Sequence, residues 1–260
     1  MSSRSLKGFI VTGVVLTMTV VGCGGGSEEP ATLTETAAPT AAPIDPATVG
    51  NITGTITLEG LAPDAELIRM AADPVCMREG KGGMTETFVV GEDGSLQNVF
   101  IYVKSGLGDR RFQPPSDPVL LDQNGCQYSP HVFGIQVGQP LEVLNSDPTL
   151  HNIHAIPEKN QEFNTGQPIE GMIFKHTFST EEIMVPLKCD VHGWMNAYAG
   201  VLSHPFFAVS GSGGTFDLSG LPPGTYEIEA WHEQLGPMTQ SVTIGEQETA
   251  EINFTFQMTS

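Results

Sequence analysis

The chain has 260 residues, of which 11 are Lys or Arg and 30 are Asp or Glu, and its formal net charge at pH 7 is −19. Such a negative balance argues against nucleic acid as a partner, because the phosphates would repel the chain. The same charge favours solubility, keeps the chain away from anionic lipid surfaces, and would attract a basic protein partner.

The first 23 residues have the features of a secretory signal. Arg4 and Lys7 supply the positive charge, and a short apolar run over 9–21 follows them. The run ends at Gly22-Cys23, which resembles a bacterial lipobox with Cys23 as the lipidated first residue of the mature protein. We therefore expect a lipid-anchored protein of the bacterial cell envelope, on a periplasmic or extracellular face, and in the outer membrane if the host has one. An ordinary signal peptide that is cleaved elsewhere is the alternative.

Residues 24–49 are rich in Gly, Ser, Glu, Thr, Ala and Pro and contain few apolar side chains to bury. This composition predicts a disordered tether. A tether of this kind would let an anchored domain reach its partners while staying at the membrane.

From residue 50 onward the sequence pattern is all β. Short alternating or apolar runs are separated by Gly and Pro, as is typical of a β-sandwich, and no pattern predicts a long amphipathic helix. The stretch 155–172, rich in Pro, Asn and Gly, is expected to be irregular. Strands are predicted at 52–58, 99–103, 134–138, 141–144, 176–178, 183–187 and 198–202.

Two short segments contain candidate metal ligands. In the loop 189–195, Cys189, His192 and Met195 are separated by two residues each, and His151 lies some forty residues upstream. A thiolate, two imidazoles and a thioether are the ligands of a mononuclear blue-copper site. Because the loop can wrap only one side of a metal ion, the fourth ligand must come from another strand, and His151 is placed to supply it.

This arrangement resembles the cupredoxins, and within them the amicyanin and plastocyanin-like proteins. In that family a His followed by Asn lies on one strand, and a Cys-His-Met loop joins the last two strands. The resemblance implies a Greek-key β-sandwich with one type 1 copper ion held by His151, Cys189, His192 and Met195. It also implies that Asn152 hydrogen-bonds to the Cys loop, that this loop is exposed, and that His192 on it is the exit for electrons.

Other assignments of these residues stay open. The C-x-x-H pair could be half of a structural zinc site, for which Cys126 and His131 are the nearest second pair. Alternatively, Cys189 could belong to a disulfide and Met195 to the apolar core. His154 is predicted to point to the opposite face of its strand from the ligand His, and so to be a partly exposed residue that binds no metal.

The four cysteines can be assigned by elimination once these roles are given. If Cys23 is lipidated and Cys189 is a ligand, Cys76 and Cys126 remain in an exported chain, where disulfides persist. We expect these two to pair, and a free buried thiol at one of them is the alternative.

The sequence after residue 204 forms a further β pattern. Phe216, Leu218, Tyr226 and Ile228 alternate around a Leu-Pro-Pro-Gly turn, and strands are predicted at 239–244 and 250–256. The segment resembles the second half of a carboxypeptidase-regulatory-like (transthyretin-like) β-sandwich, a module that usually serves as a scaffold. The predicted domains are a lipoprotein signal at 1–23, a tether at 24–49, a cupredoxin-like copper domain with an N-terminal extension at 50–204, and this module at 205–260, to which strand 52–58 is a candidate contributor.

These expectations together predict an electron carrier and not an enzyme. The ligand set fills the coordination sphere of the metal and leaves no open position for a substrate. The expected partners are c-type cytochromes or another membrane or periplasmic oxidoreductase. A copper chaperone or storage protein, for which Met172 and Met184 would be additional soft ligands, is one alternative, and a structural module of the cell surface is another.

Overall fold

In the computed structural model, residues 43–80 and 82–258 are described, and they form an almost entirely β structure. The predicted all-β class is confirmed. The signal sequence, Cys23 and most of the tether lie outside the described residues. The elements in chain order are β1 Gly50–Glu59, α1 Pro74–Glu79, β2 Phe100–Ser105, β3 Val119–Gln123, β4 Tyr128–Ser129, β5 Val132–Gln136, β6 Pro140–Asn145, β7 His151–Ala155, β8 Phe163–Gln167, β9 Ile173–Thr177, β10 Glu182–Lys188, β11 Asn196–Leu202, β12 Phe207–Val209, a 3-10 turn Ser212–Gly214, β13 Thr215–Leu221, β14 Gly224–His232, β15 Gly236–Ile244, β16 Thr249–Glu251 and β17 Phe254–Gln257.

The strands of the middle of the chain form one sandwich. One sheet has the order β5-β11-β10-β7-β8 and the other has the order β4-β3-β6-β9. Alternating residues such as Leu141 and Val143 on β6, and Ala197 and Ala199 on β11, face each other and are fully buried between the sheets. Because β7 lies directly beside β10, the His151 segment and the start of the Cys loop meet at one end of the same sheet.

A second sandwich is built from both ends of the described chain. One sheet has the order β13-β1-β16, with β17 also pairing with β1, and the other has the order β12-β2-β14-β15. Strand β1 places Ile52, Ile56 and Leu58 in its core, so the first strand does complete the C-terminal module. This strand therefore enlarges the apolar core available to a short C-terminal segment.

The predicted division of the chain, with residues 50–204 in the copper domain, places strand 99–103 in the wrong sandwich. That run was assigned to the copper domain, but β2 pairs with β14, with Ile101 opposite Ala230. The physical reason is that β2 is buried on both faces, with Ile101 and Val103 in the core of the second sandwich and Phe100 and Tyr102 against the first. A continuous apolar run of this kind does not reveal which sheet it joins.

The two sandwiches pack through a third apolar cluster. Phe100 lies at its centre with the Phe207 ring 5.9 Å away, and both rings lie over β5 and β11 of the first sandwich. A Cβ atom at Gly134 would overlap the Phe207 ring, and one at Gly200 would overlap the Phe100 ring. These two glycines therefore permit the close approach of the sheets.

Two element predictions need correction. The stretch 155–172 was expected to be irregular, yet it contains β8, which pairs along its whole length with β7. The run predicted at 176–178 is strand β9, which begins earlier, at Ile173. In both cases backbone pairing with a neighbouring strand determines the structure despite weak local signals. Within the described part of the chain, neither helix is long and apolar enough to cross a bilayer.

A buried ion pair also joins the sandwiches. His131 Nε2 lies 2.6 Å from a carboxylate oxygen of Glu233, and the two side chains are 3% and 5% exposed. Burial lowers the pKa of His131, but the hydrogen bond and charge of Glu233 outweigh it and raise that pKa above its usual value. Burial likewise raises the pKa of Glu233, but His131 holds it below its usual value.

We expect this pair to make stability depend on pH. Because the pKa of Glu233 is lowered, its contribution is complete above 4.5, the ordinary value for Glu, and is lost as pH falls through the lower folded value. Because the pKa of His131 is raised, its contribution to stability is complete below pH 6.5, the ordinary pKa of His, and is lost as pH rises through the higher pKa of the folded state.

Glu233→Gln should lower the free energy of unfolding by about 3 kcal/mol near pH 6. It should also remove the fall in the free energy of unfolding that the wild type shows as pH rises above about 6. Urea unfolding at several pH values measures this, with exposed Glu246→Gln as the control. A Glu233→Gln profile parallel to that of the wild type would contradict the prediction.

Candidate metal centre

The loop 189–195 joins β10 to β11 and is closed by its own backbone. The Cys189 amide donates to the Met195 carbonyl at 3.1 Å, and the Met195 amide donates to the His192 carbonyl at 2.9 Å. The His192 amide in turn donates to Cys189 Sγ at 3.4 Å. These bonds curl the loop so that the thiol and the imidazole of His192 point to the same side.

Three of the four candidate ligands converge at this point. His151, the first residue of β7, places its Nδ1 atom 2.9 Å from Nδ1 of His192. Cys189 Sγ lies 4.0 Å from the same His192 nitrogen. One ligand atom from each of the three residues lies within 4.8 Å of the others, and all three side chains are buried.

The outer nitrogen of each imidazole is bound by a carboxylate. His151 Nε2 lies 2.8 Å from Oδ2 of Asp147, and His192 Nε2 lies 3.2 Å from Oδ2 of Asp73. Although burial raises the pKa of each carboxyl group, the hydrogen bonds that it accepts outweigh burial and lower the pKa below its usual value, so both groups are ionised. An ionised carboxylate can only accept, and each Nε2 therefore carries the hydrogen. The Nδ1 lone pairs then face each other, which is stable only when a cation or a proton lies between them.

The two histidines differ in their affinity for such a proton. Burial lowers the pKa of His151, but Asp147 and Cys189 outweigh it and raise the value to about 8. Burial and the neighbouring charge of His151 lower the pKa of His192, although Asp73 opposes them. His151 is therefore the residue that takes up the proton when no metal ion is bound, and His192 stays neutral.

The surroundings of Cys189 favour the thiolate. Burial raises the pKa of this thiol, but the neighbouring His151 imidazole and the backbone amides around the sulfur more than offset it and lower the pKa below its usual value. A thiolate is the form of Cys that binds metal ions. Cys189 is also the free cysteine among the described residues.

Asn152 makes the contact that the resemblance implied. Its Oδ1 atom accepts from the amides of Asp190 at 2.7 Å and Val191 at 3.3 Å, and it lies 3.2 Å from Cys189 Sγ. The buried hydroxyl of Tyr128 donates to the Asn152 carbonyl at 2.6 Å. The Cys loop is thus attached to β7, the strand on which His151 lies.

The remaining sequence candidates lie close to this centre with different roles. Met195 is 1% exposed and belongs to the same core cluster as Cys189. His154 is partly exposed, as predicted, and its two ring nitrogens contact Asp190 and Glu162, each at 2.9 Å. His154 therefore faces away from the cluster of His151, Cys189 and His192.

The predicted disulfide between Cys76 and Cys126 is confirmed. It leaves no thiol at Cys126, which removes the alternative zinc site with His131 and the alternative free thiol. The disulfide also lies against the centre, since Cys76 Sγ is 3.6 Å from His192 Nε2 and the Trp194 indole donates to the Cys126 carbonyl at 2.9 Å.

The loop that carries His192 is exposed at Asp190, Val191 and Gly193, as expected, but the His192 side chain itself is buried. The residue is only 2% exposed, because the start of α1 lies over its outer edge and Trp194 packs beside its ring. The disulfide holds α1 in this place by joining Cys76 to the segment before β4. The N-terminal extension therefore closes the side of the site that the resemblance assigned to electron exit.

Asp73 and Asp147 were not predicted from the sequence to belong to the site. Asp147 lies four residues before His151, in a Ser-Asp-Pro segment, and Asp73 stands before Pro74 at the start of α1. Asp before Pro at the beginning of a helix is a recognisable N-cap signal. Only the folded position of the disulfide shows that this cap meets His192.

No family model and no curated protein matches the chain. Among solved structures, a copper-containing nitrite reductase from Thermus scotoductus is 22% identical with a TM-score of 0.32, and the match covers 36% of this chain and 26% of the reductase. The chain thus spans about a quarter of that enzyme. A purple cupredoxin from Nitrosopumilus maritimus is 29% identical with a TM-score of 0.26, over 29% of this chain and 81% of the cupredoxin. An amicyanin variant in the Cu(I) state is 16% identical with a TM-score of 0.30, over 39% of this chain and 97% of amicyanin. TM-scores this low do not assign the chain to a family, and the chemistry of the site rests on its own residues.

Proposed function

We propose that this chain is a copper protein of the cupredoxin type that carries single electrons between redox partners in the cell envelope. The observation that carries the proposal is the convergence of two imidazole Nδ1 atoms and one cysteine sulfur in a buried site. Two imidazoles with one thiolate suit a copper ion that changes between its two oxidation states.

The donor set fits one copper ion. His151, Cys189 and His192 would hold it, and we propose Met195, buried beside Cys189, as the weak fourth ligand. When bound, copper supplies reversible exchange of one electron. The protein residues keep the site rigid, because Asn152 fixes the Cys loop to β7. They also exclude water, because every proposed ligand is buried.

A copper chaperone or storage protein is less well supported by the geometry. Such a protein needs an accessible site that can exchange its ion, whereas His192 lies under α1. Met184, considered as an additional soft ligand, lies instead in the apolar cluster between the two sandwiches. We therefore place the carrier first and expect the chain to have no turnover chemistry of its own.

Electron exchange with c-type cytochromes tests the carrier function. We expect rapid oxidation and reduction of the copper-loaded protein by at least one cytochrome from the host envelope. If that partner is basic, the rate should fall as salt is added, because the net charge of −19 would steer the encounter. Stopped-flow spectroscopy measures the rate, and the zinc-loaded protein is the control. Slow exchange with every cytochrome, together with ready transfer of copper(I) to an apo-acceptor, would instead support the chaperone.

We also propose that Cys23 carries the lipid anchor and that the tether separates the anchor from the folded part. The support is the charged start of the chain, its apolar run and the Gly22-Cys23 junction. Mass spectrometry of the mature N-terminus should detect a lipid adduct on Cys23, and Cys23→Ala should release the protein from membranes. A mature chain that begins at another residue would refute the anchor.

We propose a scaffold role for the carboxypeptidase-regulatory-like module at residues 205–260, and the support for it is the sequence pattern alone.

A further inference from the structure

Asp73 has two functions in the structure that involve different oxygens. Its Oδ1 atom accepts from the amides of Val75 at 2.7 Å and Cys76 at 3.3 Å, which caps the start of α1. Its Oδ2 atom accepts from the Thr149 hydroxyl at 2.9 Å and lies 3.2 Å from Nε2 of His192. One carboxylate thus ties the helix of the extension to a proposed metal ligand.

Asp147 repeats this arrangement at the other histidine. Its Oδ1 atom accepts from the Gly125 amide at 2.8 Å. Its Oδ2 atom accepts from the Cys126 amide at 2.8 Å and lies 2.8 Å from Nε2 of His151. The carboxylate is buried, so solvent competes little for these hydrogen bonds.

The disulfide connects the two segments that contact these carboxylates. Cys76 follows Asp73 by three residues, and the amide of its partner Cys126 is held by Asp147. The covalent bond therefore joins the two residues whose amides donate to Asp73 and Asp147. This arrangement can hold the imidazole rings of His151 and His192 in defined orientations.

We propose that Asp73 and Asp147 are positioning residues of the metal centre, which orient His192 and His151 and increase the electron density on their Nδ1 atoms. This inference rests on the proposed copper site. A carboxylate that accepts the Nε2 hydrogen draws the proton toward itself and makes the opposite nitrogen a stronger donor. A stronger donor favours copper(II) over copper(I), because the ion of higher charge gains more from it.

The alternative is that Asp73 only caps α1 and does not affect the metal centre. The variant Asp73→Asn distinguishes capping of the helix from positioning of His192. Asn is as good an N-cap as Asp, so the helix should persist. With the amide oxygen on the helix, the amide nitrogen would meet Nε2 of His192, and two donors cannot form a hydrogen bond. We expect the ratio of copper(II) to copper(I) affinity to fall about tenfold, which for one electron corresponds to a rise of about 59 mV in potential. Asp147→Asn should act in the same direction through His151.

The matched control is Glu162→Gln. It makes the same change from carboxylate to amide against His154, which lies outside the proposed ligand set. Competition titrations with a copper(II) chelator and a copper(I) chelator measure both affinities in all four proteins. The control should stay within twofold of the wild type. An affinity ratio within twofold of the wild type in both Asp variants would overturn the inference.

A second measurement uses the unmodified protein and so does not depend on the folding of a variant. In the zinc-loaded wild type, proton NMR with ¹⁵N correlation should show Nε2 hydrogens of His151 and His192 that are strongly deshielded and protected from exchange with solvent. Rapidly exchanging hydrogens at these positions would overturn the inference by themselves. If copper gives no thiolate absorption band in the wild type, the proposed function fails. If the band is present while the affinity ratios are unchanged, only the inference fails.

Discussion

The Cys189→Ser variant is expected to lose the intense visible thiolate-to-copper absorption that the wild-type protein should show when it is loaded with copper(II). The hydroxyl of serine is nearly the same size but does not ionise near neutral pH, so it cannot supply the strong bond. Serine keeps the shape of the side chain, and Asn152 Oδ1, which lies 3.2 Å from the sulfur, can accept the hydrogen of the buried hydroxyl, so the apoprotein should stay folded. Absorption spectra of both proteins, at equal copper loading, measure the effect.

The control for this experiment is His154→Asn. His154 lies three residues from His151 but contacts Asp190 and Glu162 outside the cluster, so its replacement should leave the band in place. A band of undiminished intensity in Cys189→Ser would show that the thiolate is not a ligand and would overturn the proposed centre.

Reduction of the Cys76–Cys126 disulfide is expected to lower the free energy of unfolding by about 4 kcal/mol, from the chain-entropy cost of closing a loop of this length. The two cysteines are 50 residues apart, so the bond restricts a long stretch of the unfolded chain. The native state should change mainly at α1, because this short helix is joined to the first sandwich by the disulfide and by Asp73.

Urea unfolding of the apoprotein with and without a phosphine reductant measures this loss. The experiment is best done in the Cys189→Ser background, which removes the free thiol of the described residues as a possible partner for exchange with the disulfide. The same variant with Cys76→Ser and Cys126→Ser added is the control, and the reductant should not alter its stability. A loss below about 1 kcal/mol in the disulfide-containing protein would mean that its unfolded state is already compact, contrary to the chain-entropy argument.

Local patterns predicted the β structure of this chain and the candidate ligands that the fold brings together. Alternation over 52–58 and the Leu-Pro-Pro-Gly turn predicted strands, because the side-chain period of a strand is visible in the sequence. The spacing of Cys189 and His192 placed both on one loop, since two residues between them leave few ways to separate them. Cys76 and Cys126 could be paired by elimination.

Long-range contacts determine the features that were not predicted correctly from the sequence, namely the sheet that β2 joins and the presence of β8. Both faces of strand β2 are apolar, so its sequence fits either sandwich, and only its pairing with β14 in the folded chain places it in the C-terminal one. Likewise, β8 forms where weak local signals predicted irregular structure, because β7 provides a paired edge.

The environment of His192 shows this division most clearly. The loop sequence identifies His192 as a candidate ligand. Its burial is caused by helix α1, in which Cys76 precedes His192 by 116 residues and is held in place by the disulfide to Cys126. Asp73 reaches His192 for the same reason. Residue types and short spacings therefore determined the candidate ligands, while tertiary structure decided which carboxylates contact them and which side of the cluster is closed to solvent. The physical reason is that ligand chemistry depends on neighbouring residues within a loop, whereas burial depends on segments that meet only when the chain folds.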